Sequence, residues 1–206
     1  SSFGIGLLDS EESLTLTDSK KFVDIMRDIS PNTKITLIIN TPGGSLSAAE
    51  IIIHSLINHK GKITTYIPYS SMSAGTIITL TSDEIYMDKN AYCGPIDPQI
   101  GYFSANDIIR YSDDYASGTS IISDIVRLMV KQANATLDRV KGILQTIHST
   151  KNMTYDLNKI YDELLVGKHN HDKPLFVEKM TNILPNVKVG IPNEVMELYN
   201  AFTKKC

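Results

Sequence analysis

The octapeptide IINTPGGS, residues 38–45, decides the fold, because a strand stops there and a helix follows. Residues 35–39 are apolar and mostly β-branched, which reads as a buried strand. Pro42 fixes its own φ, while Gly43 and Gly44 can turn with positive φ. Lacking side chains, the two glycines can also leave a backbone N–H facing open space. Ser47 with Glu50 three residues on fits a capping box, and residues 48–57 are apolar enough for a buried helix.

A second stretch, YSSMSAGT at residues 69–76, repeats the layout. Residues 63–67 alternate like a strand, Pro68 ends it, and small residues lead into a helical run at 77–81. Ser73 stands at this second corner, ahead of Ala74 and Gly75. A hydroxyl at a helix start gains from the positive end of the macrodipole, and small neighbours let a carbonyl approach. If the two corners lie side by side, amides at Gly44 and Ala74 can hold an oxyanion over Ser73 Oγ. Taken alone, Ser73 is equally a common helix cap. Ser70 and Ser71 do not precede the Ala-Gly-Thr that permits close approach, so they read as loop.

Working outward, residues 3–8 form a short apolar piece suited to an edge strand, and a helix is expected from Thr17 or Asp18 to about residue 29. Strand, helix, strand, helix, strand argues for right-handed crossovers and a largely parallel sheet in an α/β fold. Residues 83–87 read as a further strand. Residues 90–101 are rich in Gly and Pro, so an ordered loop is expected, with Pro95 and Pro98 stiffening both sides of Asp97. On composition, Asp97 can cap a turn or orient an imidazole. Residues 119–149 place apolar side chains at helical spacing. A helix of about 30 residues spans roughly 45 Å, against a diameter of about 43 Å for a compact domain of this length. The segment therefore bends, breaks or projects. A shorter helix is expected at 155–165.

The 206 residues suffice for one sizeable core, and one domain is expected over 1–206. Its core is placed at about 1–115, a helical extension at about 117–168, and a C-terminal segment at 169–206. A net charge of −3 gives no electrostatic case for nucleic acid or anionic lipid. Two cysteines, Cys93 and Cys206, make no disulfide framework; Cys93 reads as a small buried residue. No apolar run reaches the roughly 18 to 20 residues that cross a bilayer. The sequence opens on Ser1-Ser2 and not on Met, which suggests trimming.

The combination of PGGS after a buried strand, Ser-Ala-Gly-Thr, Asp-Glu-Ile and Gly-Pro-Ile-Asp-Pro-Gln resembles the serine dehydrogenase proteinase family. That family lies in the Clp protease and crotonase-like superfamily, with signal peptide peptidase of the serine type as a relative. The resemblance runs from about residue 4 to residue 199 and implies repeated ββα units with flanking helices. It implies a serine protease acting on polypeptides without cofactor or metal, assembled as a trimer or a multiple of one. It also implies that a membrane anchor can lie outside these residues. HNHDKPL, residues 169–175, is similar to the family's His-Asp-x-Pro segment, which places a catalytic histidine at His171. The implied set is Ser73 as nucleophile, His171 as base, Asp97 as the acid that orients it, and Gly44 and Ala74 as the oxyanion hole.

Rival assignments exist for the supporting residues. Asp172 is next to His171, but adjacent side chains rarely point together. Lys131, on the long helical segment, can serve a Ser-Lys dyad if burial keeps it neutral, and is otherwise a solvated helix-face lysine. His169 and His171 make a poor zinc signal without a third ligand. His54, His59 and His148 read as ordinary surface or half-buried histidines. Two other function classes compete: a thioester hydratase or hydrolase using only the oxyanion amides, and an inactive oligomeric scaffold.

Overall fold

The computed structural model describes residues 3–9, 13–116, 124–168 and 171–203. Strand β1 (Phe3–Asp9) leads to helix α1 (Leu16–Arg27). That helix starts a little before the expected position because Thr15 is its cap, its N–H donating to Asp18 Oδ2 at 2.9 Å. Strand β2 (Lys34–Asn40) and helix α2 (Leu46–Ile57) follow. The expected Ser47–Glu50 box does not form. Ser45 caps α2 instead, accepting from the Ala48 N–H at 3.3 Å. Ser47 and Glu50 face outward and hold the guanidinium of Arg139. Strand β3 (Ile63–Ile67) falls where its alternation placed it, then come β4 (Ser70–Ser71), α3 (Ala74–Thr79) and β5 (Glu84–Met87). Helix α3 begins three residues earlier than the apolar run suggested, which makes Ser73 its first flanking residue.

The expected loop at 90–101 carries two short strands, β6 (Tyr92–Cys93) and β7 (Gln99–Ile100). Strand β8 (Phe103–Ser104) and helix α4 (Ala105–Ala116) come next, the helix being unanticipated. Helix α5 (Asp124–Thr150) runs unbroken for 27 residues. Leu137, Val140, Leu144 and Ile147 bury its C-terminal half, while Ile125 and Leu128 near its start are 70% and 67% exposed. Of the three possibilities a break is excluded, and the N-terminal part of the helix packs beside α4. The expected start near Thr119 lies outside the described residues, as do His169 and Cys206. Helix α6 (Leu157–Ile160) passes into a π-helical turn, Tyr161–Leu165. Strand β9 (Leu175–Phe176), α7 (Val177–Ile183), β10 (Val187–Val189) and α8 (Asn193–Thr203) complete the chain.

Five strands form one parallel sheet in the order β1-β2-β3-β5-β10, with β1 at an edge as expected. A smaller sheet joins β4 to β6 in parallel and β6 to β9 antiparallel. Thr41, just past β2, bridges to Ser71 of this second sheet. After β2 and after β3 the chain therefore steps into the second sheet before its helix, so the expected ββα unit recurs. Leu37, Ile39, Ile63 and Ile67 of the strands are fully buried with Ile52, Leu56 and Ile78 of the helices. Each such side chain contributes roughly 1.5 to 3 kcal/mol of burial. That rigid core sets the corners where the chemistry sits. Among the described residues, no helix is long and apolar enough to cross a membrane.

Candidate active site

The first corner follows β2. Gly43 has φ 99° and Gly44 φ 140°, conformations that L side chains rarely adopt. Leu14 holds both flanks: its N–H donates to Gly43 O at 2.7 Å, and its carbonyl accepts from Ser45 N–H at 2.9 Å. Between them the Gly44 N–H donates to no acceptor among the described residues. A Cβ on Gly44 would stand 2.4 Å from Leu14 N, so only glycine allows this approach.

The second corner lies against the first. Thr41 N–H donates to Ser70 O and Met72 N–H to Thr41 O, each at 3.0 Å. Gly75 N–H closes the turn on Met72 O at 2.8 Å. This tight reversal puts Ser73 at φ 49° and ψ −112°, a strained backbone state for a non-glycine residue. The strain has the form of a strand-to-helix elbow that pushes a serine hydroxyl outward. Ser73 makes no capping hydrogen bond, and the Ala74 N–H, like that of Gly44, has no acceptor among the described residues. Helix α3 has only six residues, so the paired amides matter more here than its dipole.

Gly43 is what brings the corners together. A Cβ there would lie 2.8 Å from both Met72 O and Ser73 Cβ. Gly43→Ala is expected to move the elbow as well as strain its own φ. We expect a stability loss of about 2 kcal/mol or more and a larger proportional loss of Ser73 reactivity. Urea unfolding together with fluorophosphonate labelling measures both; unchanged labelling would show that the corners tolerate separation.

Ser73, Gly44, Ala74 and His171 line one cleft of about 470 Å³ with Leu46 and Ile77. His171 is half-buried, and its Nδ1 is buried without a hydrogen-bond partner among the described residues. Ile96 and Pro98 line the cleft while Asp97 between them sits behind the wall, 2% exposed. Burial pushes the Asp97 carboxyl up from its ordinary value, and Asp107 adds to this. Hydrogen bonds from Ser104 and Asn106 and the field of His171 act in the opposite direction. Asp97 and His171 are thus electrostatically coupled, and no hydrogen bond joins them among the described residues.

The other candidates lie elsewhere. Asp172 is exposed and does not line the cleft. Lys131 is exposed on α5, and that helix sends Thr136 and Val140 into the cleft instead. Ser71 is fully buried and paired with Thr79 Oγ1 at 3.0 Å, and Ser70 donates to Asn40 at 3.2 Å. His59 and His148 bond the Thr33 and Tyr155 carbonyls at 2.6 and 3.0 Å, while His54 is exposed. Burial pushes the Cys93 thiol up to about 12, which leaves it unreactive. Among the described residues no group of three or more His, Cys, Asp or Glu could hold a metal ion. Sequence reasoning missed Leu14, which orients the first corner, and Thr76, whose hydroxyl bonds the Ser71 and Gly94 carbonyls at 2.6 and 2.9 Å. A lone Leu in a polar run carries no signal of such a role. Thr76 was visible as part of the Ala-Gly-Thr motif.

The model of the ClpP-like SDH-type serine proteinase family matches residues 3–205. Two uncharacterized proteins of Methanocaldococcus jannaschii are each 34% identical to the chain, over 193 and 194 residues. The matches cover 92% and 90% of this chain but 64% and 65% of those proteins. The chain therefore spans just under two thirds of the length of these curated relatives.

Proposed function

Because the chain belongs to the ClpP-like SDH-type serine proteinase family, we propose that it hydrolyses peptide bonds through an acyl-enzyme on Ser73. One juxtaposition supports this reading: a strained serine, two amides without acceptors among the described residues and an imidazole share a single cleft. Ser73 Oγ attacks the peptide carbonyl while His171 takes its proton, since a serine hydroxyl is a weak nucleophile without a base. Amides of Gly44 and Ala74 receive the oxyanion, an arrangement in which each donor contributes about 3 to 4 kcal/mol to transition-state stabilisation. His171 then protonates the leaving amine, and the same imidazole activates water to release the acyl group. Asp97 compensates the imidazolium charge and orients the ring once Nδ1 bears hydrogen. Hydrogen bonds of this kind are often long before substrate binds and tighten in the Michaelis complex.

Among the described residues the cleft wall carries no Lys, Arg, Asp or Glu, and Leu46, Ile77, Ile96 and Val140 give it an apolar side. An uncharged, apolar side chain on a polypeptide substrate fits it best. Assembly into a homo-oligomer, a trimer or a multiple of one, is part of the same proposal. The exposed Ile125 and Leu128 near the start of α5 support it. Nothing in the mechanism requires a cofactor.

A fluorophosphonate probe tests the reading. The folded protein is expected to be labelled on the peptide containing Ser73, as mass spectrometry of the digest would show, and not after denaturation. Absence of label between about pH 6 and pH 9, where a histidine base is neutral for much of the range, would favour the scaffold class. Turnover of acyl thioesters that survives Ser73→Ala would favour the hydratase class.

A further inference from the structure

Asn106, in the first turn of α4, spends both hydrogens of its side-chain amide inside the protein. Nδ2 donates to Asp97 Oδ1 at 2.6 Å and to the backbone carbonyl of Leu165 at 2.7 Å. Asp97 rides on the loop stiffened by Pro95 and Pro98, and Leu165 closes the π-helical turn that precedes the His171 segment. Gly167, at φ 66°, passes so close that a Cβ there would lie 2.8 Å from Asn106 Cβ. The turn itself is clamped. Glu163 pairs with Lys168 at 2.7 Å and Lys179 at 2.6 Å, and those cations hold its carboxyl down at about 2. A single amide thus ties the loop of the proposed acid to the approach of the proposed base.

We propose that Asn106 is a positioning residue: its amide holds the Asp97 carboxylate in the one orientation from which it can receive His171 Nδ1–H. This rests on the Ser73, His171, Asp97 assignment. Both partners of Nδ2 are acceptors, so the flipped amide would set Oδ1 against a carboxylate and a carbonyl. The orientation is therefore unique. A carboxylate as buried as Asp97 stays ionised only if donors replace the water it has lost. Ser104 supplies one and Asn106 the other; of the charged groups near it, His171 favours the ionised form and Asp107 opposes it. Without Asn106 the acid keeps its proton to higher pH and its carboxyl plane is free to turn. Either change deprives the imidazolium of its partner.

Asn106→Leu removes both donors while keeping the branched shape of the side chain. We expect kcat on a peptide substrate to fall about 10- to 100-fold, the size of effect a misplaced group produces, with KM nearly unchanged. The acid limb of the pH profile moves to higher pH. Asn106→Ser, which keeps a hydroxyl donor, recovers part of the rate and carries the same readouts if the leucine variant does not fold. In an Asp97→Asn background, adding Asn106→Leu costs little more, because residues acting as one unit are not additive. Additive losses, or an unmoved acid limb, overturn the proposal. A slow Asp97→Asn enzyme beside a normal Asn106→Leu enzyme overturns it alone. A fully active Asp97→Asn enzyme, or no label on Ser73, overturns the triad assignment and this inference with it.

Discussion

Ser73→Ala is expected to abolish fluorophosphonate labelling and to lower peptide hydrolysis by about 10⁴- to 10⁶-fold, leaving only what the oxyanion amides and binding supply. The two serines just before it in the chain cannot substitute. Ser71 is fully buried against Thr79, and Ser70 bonds Asn40. Ser73→Gly sharpens the test, because it separates chemistry from backbone cost. The residue sits at φ 49° and ψ −112°, which an L side chain enters only under strain. Glycine releases that strain, worth about 1 to 3 kcal/mol, but adds roughly 0.5 to 1 kcal/mol of unfolded-state entropy. The net expectation is an inactive protein more stable by about 1 kcal/mol. Its urea midpoint rises. A glycine variant less stable than wild type would show that the elbow is relaxed, and would weaken the case that it exists to present a hydroxyl.

The second large effect concerns the base. His171→Ala is expected to lower kcat by about 10³- to 10⁶-fold with little change in KM, since proton transfer is felt in the transition state and not in binding. Lys131→Ala should stay within about twofold of wild type, because a solvated surface lysine away from the cleft contributes nothing to the step. A lysine base must be neutral, and neutrality at ordinary pH requires burial that depresses its pKa by several units. Lys131 is exposed on α5 instead. The pH profile gives an independent readout. An imidazole base must lose its proton to act and Asp97 must lose its own to support it, so the acid limb reports that pair below neutrality, whereas a lysine base would place it well above neutrality. The reverse pair of results, with Lys131→Ala dead and His171→Ala active, would reassign the base.

Much of this architecture can be read without coordinates. Residues 35–39 and 63–67 are strands because β-branched runs bounded by Pro and Gly have little else to do, and both fall in the central sheet. Gly43-Gly44 and Ser73-Ala74-Gly75 mark the corners because only small or side-chain-free residues fit between β2, α3 and Leu14. Their meaning is local, and local chemistry is what a sequence writes down directly. The helix starts were less legible. Ser47-Glu50 has the pattern of a capping box, yet Ser45 took the cap and Arg139 took the pair. A partner far along the chain outbid the local one.

The supporting cast belongs to tertiary structure alone. Asp97 can cap a turn or orient a ring on sequence grounds, and its bond to Asn106 forms only when α4 packs under the loop. Helix α4 itself left no trace in the reading, because its short apolar stripe is bounded by ordinary polar residues. Lys131 and Thr136 lie on one helix, and only the packing of α5 turned Thr136 into the cleft and left Lys131 in water. Sequence determines which residues are able to do chemistry, because reactivity resides in side chains and in local backbone freedom. Which of them meet is decided by burial of the surrounding core, since contacts between distant segments exist only after that apolar surface has left water.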